Sequence, residues 1–441
     1  MSFNEWMALA MLAGFFSLLM LGVPIAISLA ISGFVFGLVG FGPMLFNLVP
    51  ARIFGVVANY QWLAIPLFVF MGVMLEKSRL ADDLLDVVGH IAGGIRGGMA
   101  IGIVLVGVLL GATTGIVGAT IITLGMLTLP TLLRRGYDPA IACGTICASG
   151  TLGQIIPPSL ILIVLSDIMQ LSVGTLFAAA VGPGMLLAAV YCIYIIVFGM
   201  IYPDKVPPLP KDERDAVSVR ELWTRFFKVV VPPLLLVVAV LGSIIGGVAA
   251  PTEAAAMGAI GAMLVTIGAG RFSFKALKEA TEGTAKITAV MLFILVCAQI
   301  FALAFRGLNG EDLIHDLFEF IPGGVTADII FLMVLIFVLG FFLEWIEISY
   351  IAVPLFLPVF VAQDVNLVWL AMLICLNLQS SFLTPPFGWA LFFLKGVAPP
   401  QVRTIDIYKG VIPFIAMQVV AIAILFSVPS IALWLPEYIG W

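Results

Sequence analysis

The chain has 441 residues, 62% of them apolar and only 10% Asp, Glu, Lys or Arg, with a formal net charge of −5. So few charges cannot cover a soluble surface, so the chain is expected to be an integral, polytopic membrane protein whose charges mark loop topology and not a nucleic-acid or other charged partner. Two histidines (His90 and His315) and five cysteines (Cys143, Cys147, Cys192, Cys297 and Cys375) occur without a CxxC or Cys/His metal spacing. That excludes most metal and acid–base chemistry and leaves the cysteines as small core residues. Neither HExxH nor GxGD nor a nucleotide motif is present, so no enzyme and no cofactor is expected.

In chain order, the apolar run from Trp6 to Val39 is too long for a signal h-region, and no basic residue precedes Arg52. It is expected to remain as a first span over 6–40, followed by spans near 60–75, 139–170, 174–201, 229–248, 252–270, 287–304, 367–394 and 411–436. Two further stretches, 97–133 and 327–362, exceed one span and carry polar or glycine-rich middles, as re-entrant hairpins would. Amphipathic segments at 78–92 and 272–285 are expected along the cytoplasmic interface. The Pro-rich, mixed-charge linker from Tyr202 to Lys228 is expected to be helical around SVRELWTRFFK. With the N-terminus in the cytoplasm and both hairpins re-entrant, 18 of the 20 Lys and Arg residues fall inside, leaving only Arg52 and Arg306 outside. The hairpin at 97–133 then opens from the cytoplasm, the one at 327–362 opens from outside, and the C-terminus is periplasmic. The long outer loop from Arg306 to Thr326 carries Glu311, Asp312, Asp316 and Glu319, and its Leu313, Leu317 and Phe320 are spaced to line one face of a short helix.

The halves echo each other. Leu129-Pro130 recurs as Leu357-Pro358, and Pro157-Pro158 recurs as Pro385-Pro386, both at an offset of 228 residues. GVPIAISLAISG (22–33) resembles GVAAPTEAAAMG (247–258) at an offset of 225. Opposed hairpins and a shared offset predict an inverted repeat: 1–201 with hairpin 97–133, a cytoplasmic linker over 202–228, and 229–441 with hairpin 327–362.

The stretch GTLGQIIPPSL at 150–160 is a poor plain span. Pro157 and Pro158 supply no N–H, and freed carbonyls in lipid need a cavity or protein around them. It forms one of four polar islands at membrane depth. The first is the hairpin tip with Thr113, Thr114, Gly115 and Gly118. The second is this break, with Ser149, Gly150, Thr151, Gly153, Pro157 and Pro158. The third is the other tip with Glu344 and Glu347, and the fourth is the matching break with Ser380, Ser381, Thr384, Pro385, Pro386 and Gly388. Helix N-termini at tips and breaks favour anions, while freed carbonyls and helix C-termini favour Na+. Together the islands suit one midplane site for a carboxylate plus Na+, with Thr113, Thr151, Ser380 and Thr384 as metal ligands. Each has a plainer reading: close packing of small residues, a kink, hydroxyls bonded to their own helix, or acids at a shallow, wet tip. All Lys and Arg lie in loops or at span ends, so no arginine is available to clamp a substrate at depth. A channel would also use re-entrant loops, but two opposed hairpins in an inverted repeat suit alternating access better.

At GVPIAISLAISG, AIPLFVFMG, GYDPAIACGTICASGTLGQIIPPSLILI, PTEAAAMGAIGA and LTPPFGWALFFLKG the sequence resembles the large, DctM-like membrane subunit of TRAP (tripartite ATP-independent periplasmic) transporters, over nearly the whole chain. The resemblance implies an all-α, elevator-type secondary transporter in the bacterial or archaeal inner membrane, driven by a Na+ gradient and importing small organic acid anions. It also implies a small four-helix membrane subunit, expected here as a separate chain, and a periplasmic substrate-binding protein. Its Na+ sites carry over onto the four islands. Gly111-Ala112-Thr113-Thr114 stands where others show Gly-Ser-Ser, and Leu343-Glu344-Trp345 where many show Met-Asp. The FLEWIEI stretch resembles the branch associated with 2-oxo acids, lactate-like acids and related monocarboxylates. The alternative is a self-sufficient ion-coupled carboxylate carrier.

Overall fold

The computed structural model describes residues 2–78, 80–115, 117–210, 212, 217–385 and 388–441, with the backbone alone for Leu80, Ala81, Thr113 and Thr114. Among these residues there are helices and no strand. The first half runs α1 (Phe3–Met20), α2 (Ile25–Phe41), α3 (Leu45–Val57), α4 (Ala64–Lys77), α5 (Leu80–Ala92), hairpin arms α6 (Gly98–Thr114) and α7 (Val117–Arg134), the broken helix α8 (Pro139–Thr151) and α9 (Leu160–Ile168), and α10 (Val173–Ile201). After a linker helix, α11 (Val219–Val229), come α12 (Val231–Ile245), α13 (Pro251–Gly268), α14 (Phe274–Gly307), α15 (Gly310–Glu319), hairpin arms α16 (Val325–Leu339) and α17 (Trp345–Ala362), the broken helix α18 (Leu367–Leu383) and α19 (Trp389–Val397), α20 (Thr404–Ser427) and α21 (Ser430–Ile439). Nine helical segments among the described residues are long and apolar enough to cross a membrane.

The repeat extends beyond the motifs. Gly98, Val117, Pro139 and Leu160, which open α6 to α9, match Val325, Trp345, Leu367 and Trp389, which open α16 to α19. The capping is repeated as well. The Asp138 carboxylate accepts from the Ala140 N–H at 2.8 Å to start α8, and the Asn366 side chain accepts from the Trp369 N–H at 3.1 Å to start α18. Such caps satisfy N–H groups that have no partner inside the helix.

The hairpins open at opposite ends of the bundle. The base of the first lies at the C-terminal end of α10, where the Gly97 N–H donates to the Val206 carbonyl and the Asp138 N–H to that of Lys205. The N-terminal end of α10 is at the other end, with Gly174 against Trp441. There the base of the second hairpin is tied by Gln363 donating to Asp328 at 2.7 Å, and the start of α18 by the Trp369 indole donating to the Leu425 carbonyl at 3.0 Å.

Two groups of helices are built. The first four helices pack with α12, α13 and α14 as a frame, and the hairpins, broken helices, α10, α20 and α21 form a second group carrying all four islands. In the frame, a Cβ on Gly33 would lie 2.9 Å from the Phe301 backbone N and one on Gly37 would lie 3.2 Å from the Ala304 Cβ. Small residues thus let α2 and α14 run side by side, both toward the same end.

Three expectations are corrected. The 6–40 run is not one span: Leu21–Pro24, with Gly22 at φ 78°, separates α1 from α2, and the two pack on each other. So short a connection between packed helices makes them antiparallel, so the N-terminus lies on the same side as residues 42–59 and not opposite them. A cytoplasmic N-terminus and an outside 41–59 loop are therefore incompatible. The 272–285 segment is not a separate interfacial helix; it continues into the span as the 34-residue α14, about 51 Å long at 1.5 Å per residue. On α15 the buried face is Ile314 and Phe318, one position on from the expected Leu313 and Leu317; Leu317 and Phe320 are exposed.

Candidate site at the hairpin tips and helix breaks

The first hairpin is wedged between the two broken helices. Its α6 arm closes at Gly115, whose φ of 60° is left-handed and whose N–H donates to the Gly111 carbonyl at 2.9 Å. A Cβ on Gly111 would stand 2.3 Å from the Gly153 Cα, and one on Gly107 2.7 Å from the Ser149 Cβ. Backbone therefore meets backbone, and only glycine permits it. The α7 arm reaches the other broken helix, where a Cβ on Gly118 would sit 2.9 Å from the Phe393 ring. The second hairpin repeats the arrangement: a Cβ on Gly340 would lie 2.1 Å from the Ser381 hydroxyl oxygen. Ser381 and Gly153 are repeat equivalents.

The breaks also touch each other's helices. The Cys375 thiol lies 3.6 Å from the Gln154 carbonyl, and the Cys147 thiol 3.7 Å from that of Ala390. The first break is one 3-10 turn, Leu152–Gln154, then a bend closed by Ser159, whose hydroxyl donates to the Gln154 carbonyl. The second runs from Thr384 to Gly388; Pro386 lies outside the described residues. After each break a new helix starts, at Leu160 and Trp389, and presents N–H groups at bilayer depth.

Four of the site hydroxyls give their protons to their own helices. Ser380 donates to Asn377 O at 2.7 Å, Ser381 to Leu378 O at 2.8 Å, Thr384 to Ser380 O at 2.7 Å and Thr151 to Ala148 O at 2.9 Å. Their oxygens keep lone pairs that can face a cation. Asn377 ties the break to the second hairpin by donating to the Met333 carbonyl at 2.6 Å. Ser149 faces α6, fully buried and with no hydrogen-bond partner on its hydroxyl. Thr151 is fully buried in the last turn of α8. The Thr113 and Thr114 side chains lie outside the described residues. Glu347 is buried, and its carboxylate accepts from the Glu344 N–H, capping the start of α17. Glu344 is half-buried, and Pro157, Pro158, Gly150 and Gly388 line the breaks.

Sequence reasoning did not name Gln154, Gln379, Tyr191 or Gln418 as site residues, although the first two lie inside its polar islands. Each is at least 98% buried, with polar side-chain atoms that have no well-formed hydrogen bond. Gln379 is also the repeat equivalent of Thr151. The available signal was an amide or a phenol inside an otherwise apolar span.

An all-helical bundle with paired hairpins, paired broken helices and an inverted repeat defines a multi-pass membrane transporter. The chain belongs to the family described as the tripartite ATP-independent periplasmic transporter, DctM component, whose model matches residues 12–431. It is 31% identical to the C4-dicarboxylate TRAP transporter large permease protein DctM of Pseudomonas aeruginosa, over 88% of this chain and 89% of that one. It is 29% identical to the ectoine TRAP transporter large permease protein TeaC of Halomonas elongata, over 98% and 99%. With the isethionate TRAP transporter permease protein DctMQ of Oleidesulfovibrio alaskensis it shares 28% identity over 97% of this chain and 66% of that one. The crystal structure of the YdaH transporter of Alcanivorax borkumensis has the same fold, with a TM-score of 0.60 at 15% identity, over 90% and 89% of the chains. The chain is a TRAP transporter large permease subunit.

Proposed function

We propose that this permease imports small organic acid anions by Na+ symport through an elevator movement of the hairpin-bearing group against the frame. The observation that supports this best is the doubled contact of hairpin tip and helix break, Gly111 on Gly153 and Gly340 on Ser381. Each brings a helix C-terminus and hydroxyl oxygens, which suit Na+, beside the N-terminus of α9 or α19, which suits a carboxylate. The α17 N-terminus is already capped by Glu347, which leaves the α9 and α19 N-termini after the breaks, with the α7 N-terminus at the first tip, to face an anion. In this reading Na+ sits among the oxygens of Thr113, Ser380, Thr384 and the carbonyls about Thr151, and the bound cations replace the missing arginine.

A separate four-helix small subunit and a periplasmic binding protein complete the transporter in the bacterial inner membrane. The unmatched third of the DctMQ relative leaves room for a small subunit in that chain. The relatives named for dicarboxylates, ectoine and isethionate differ in cargo, so the acid is set by local side chains. The test is uptake by proteoliposomes holding both membrane subunits, with binding protein outside, across a panel of labelled mono- and dicarboxylates. Concentrative uptake that needs an inward Na+ gradient and binding protein is expected. Uptake without binding protein would favour the self-sufficient carrier, and uptake indifferent to Na+ would overturn symport.

A further inference from the structure

The frame meets the second group where α4 and α14 pack on α9 and α17. At the end of the bundle where α10 starts, one short frame segment, Asn59–Ile65, closes this seam. Asn59 caps the 3-10 turn Tyr60–Leu63, its side-chain oxygen accepting from the Gln61 N–H at 3.0 Å. With the oxygen so engaged, the amide NH2 points away from the turn, and it donates to the Asp167 carboxylate at 2.6 Å. Asp167 lies in the last turn of α9, where the helix dipole disfavours an anion, so α9 by itself gives no reason for an acid there. Deeper in the seam the Trp62 ring packs on Tyr350 of α17 at 6.2 Å. Trp62, Ile65, Val164, Ile346 and Tyr350 leave between them and α14 a void of about 10 Å³, barely room for one water. All five are buried, whereas Asn59 and Asp167 are half-buried. Ile346 belongs to the first turn of α17, beside Glu344, so this layer separates the second tip from that end of the bundle. The positive-inside rule predicts that end to be the outer one.

We propose that the Asn59–Asp167 hydrogen bond is an outer latch: it holds frame and hairpin-bearing group in the conformation whose outer approach to the second tip is closed, and it breaks before cargo delivered from outside can enter. This rests on the reading that the second group moves against the frame. The bond suits a latch because both partners are half-buried. Water can solvate each when they part, so the hold is modest and reversible.

The test uses the full permease in intact cells, with Ile346→Cys in the sealed layer as reporter for a membrane-impermeant maleimide, and Val164→Cys as second reporter should the first not fold. Asn59→Asp keeps the cap on the 3-10 turn but sets two carboxylates face to face. It should raise the outside labelling rate about ten-fold, the scale of one hydrogen bond to a charged group. Exchanging the partners, Asn59→Asp with Asp167→Asn, rebuilds the bond in reverse and should return the rate to that of the reporter alone, which a merely misfolded Asn59→Asp variant would not do. Separately, bridging Asn59→Cys and Asp167→Cys with Hg2+ should abolish uptake, excess dithiothreitol should restore it, and neither single variant should be inhibited. An unchanged labelling rate in Asn59→Asp, or no rescue by the exchange, while the bridge still blocks uptake, would overturn the latch and leave the elevator movement intact. Uptake that survives complete bridging, measured by loss of both free thiols, would overturn the elevator reading and the latch with it.

Discussion

At the scale of single residues, glycine and hydroxyl positions at the breaks have separable roles. Gly153→Ala puts a methyl group 2.3 Å from the Gly111 Cα, where only backbone can yield. Overpacking of that kind costs about 1–3 kcal/mol, so the variant should melt lower in detergent and lose most uptake. Gly396→Ala is the control: it lies in α19 with nothing within 4 Å of its added Cβ. It should be neutral or slightly stabilising, because alanine favours helix by up to about 1 kcal/mol. Equal melting of the two variants would mean that the α6 contact is loose. The hydroxyls make a different prediction. Ser380 and Thr384 satisfy their protons within α18 and the break, so Ser380→Ala and Thr384→Val leave no donor stranded. If their oxygens ligate Na+, each loss should weaken Na+ activation of uptake by about 1–3 kcal/mol, the range for an unmade buried polar contact. Retained Na+ dependence in both variants would assign these hydroxyls to packing.

At the scale of elements, what sequence made legible was whatever lipid forces into local pattern. The hairpins, the two broken helices and the offset of 228 residues were readable because proline pairs and polar islands are conspicuous in an apolar chain. Helix ends inside apolar runs were not. Leu21–Pro24 interrupts 6–40 with one glycine and one proline, and no charge marks the turn. The start of α14 carries charges that read as interfacial, yet nothing in 272–285 stops the helix, so it runs on. On α15, spacing gave the helix but misplaced its buried face by one residue, since Phe318 is held by ring contacts with Phe331, Phe356 and Phe360. The acids lie off that buried face. Glu311 pairs with Arg306 at 2.8 Å and Glu319 lies 3.5 Å from the His315 ring, while Asp312, Asp316 and Glu319 are all exposed. Such acids steer a partner with a basic rim, an effect on association rate that salt screens. Changing Asp312, Asp316 and Glu319 to Ser should raise the binding-protein concentration for half-maximal uptake at low ionic strength and little at high. The same shift at both ionic strengths, or none, would place docking elsewhere, with 41–59 next.

At the scale of the whole molecule, the charge asymmetry and the helix order have to agree on one threading. No Lys or Arg precedes Arg52, so the split of 18 to 2 constrains everything after α3 and leaves α1 and α2 free. The packing settles them. With α2 parallel to the second half of α14, and α1 folded back on α2, the N-terminus belongs at the end where α14 finishes at Gly307. The positive-inside rule puts that end outside, because Lys275, Lys278 and Lys286 crowd the start of α14. At the other end of the chain, the kink at Val428-Pro429 does not reverse direction. Gly182 meets Ile431 and Gly174 meets Trp441, so α21 keeps running toward the N-terminal end of α10. Both termini and the base of the second hairpin therefore share one face, and the base of the first hairpin lies at the other; the positive-inside rule predicts that the first of these is the outer face. Single cysteines at Phe3, Arg134 and Ala362, all exposed positions, make this measurable with a membrane-impermeant maleimide on intact cells. Native thiols interfere little, since Cys143, Cys147, Cys297 and Cys375 are buried and Cys192 partly so. Phe3→Cys and Ala362→Cys should label directly, and Arg134→Cys only after permeabilisation. Protection of Phe3→Cys beside ready labelling of Ala362→Cys would return 6–40 to a single crossing, and labelling of Arg134→Cys from outside would dissolve the inverted repeat.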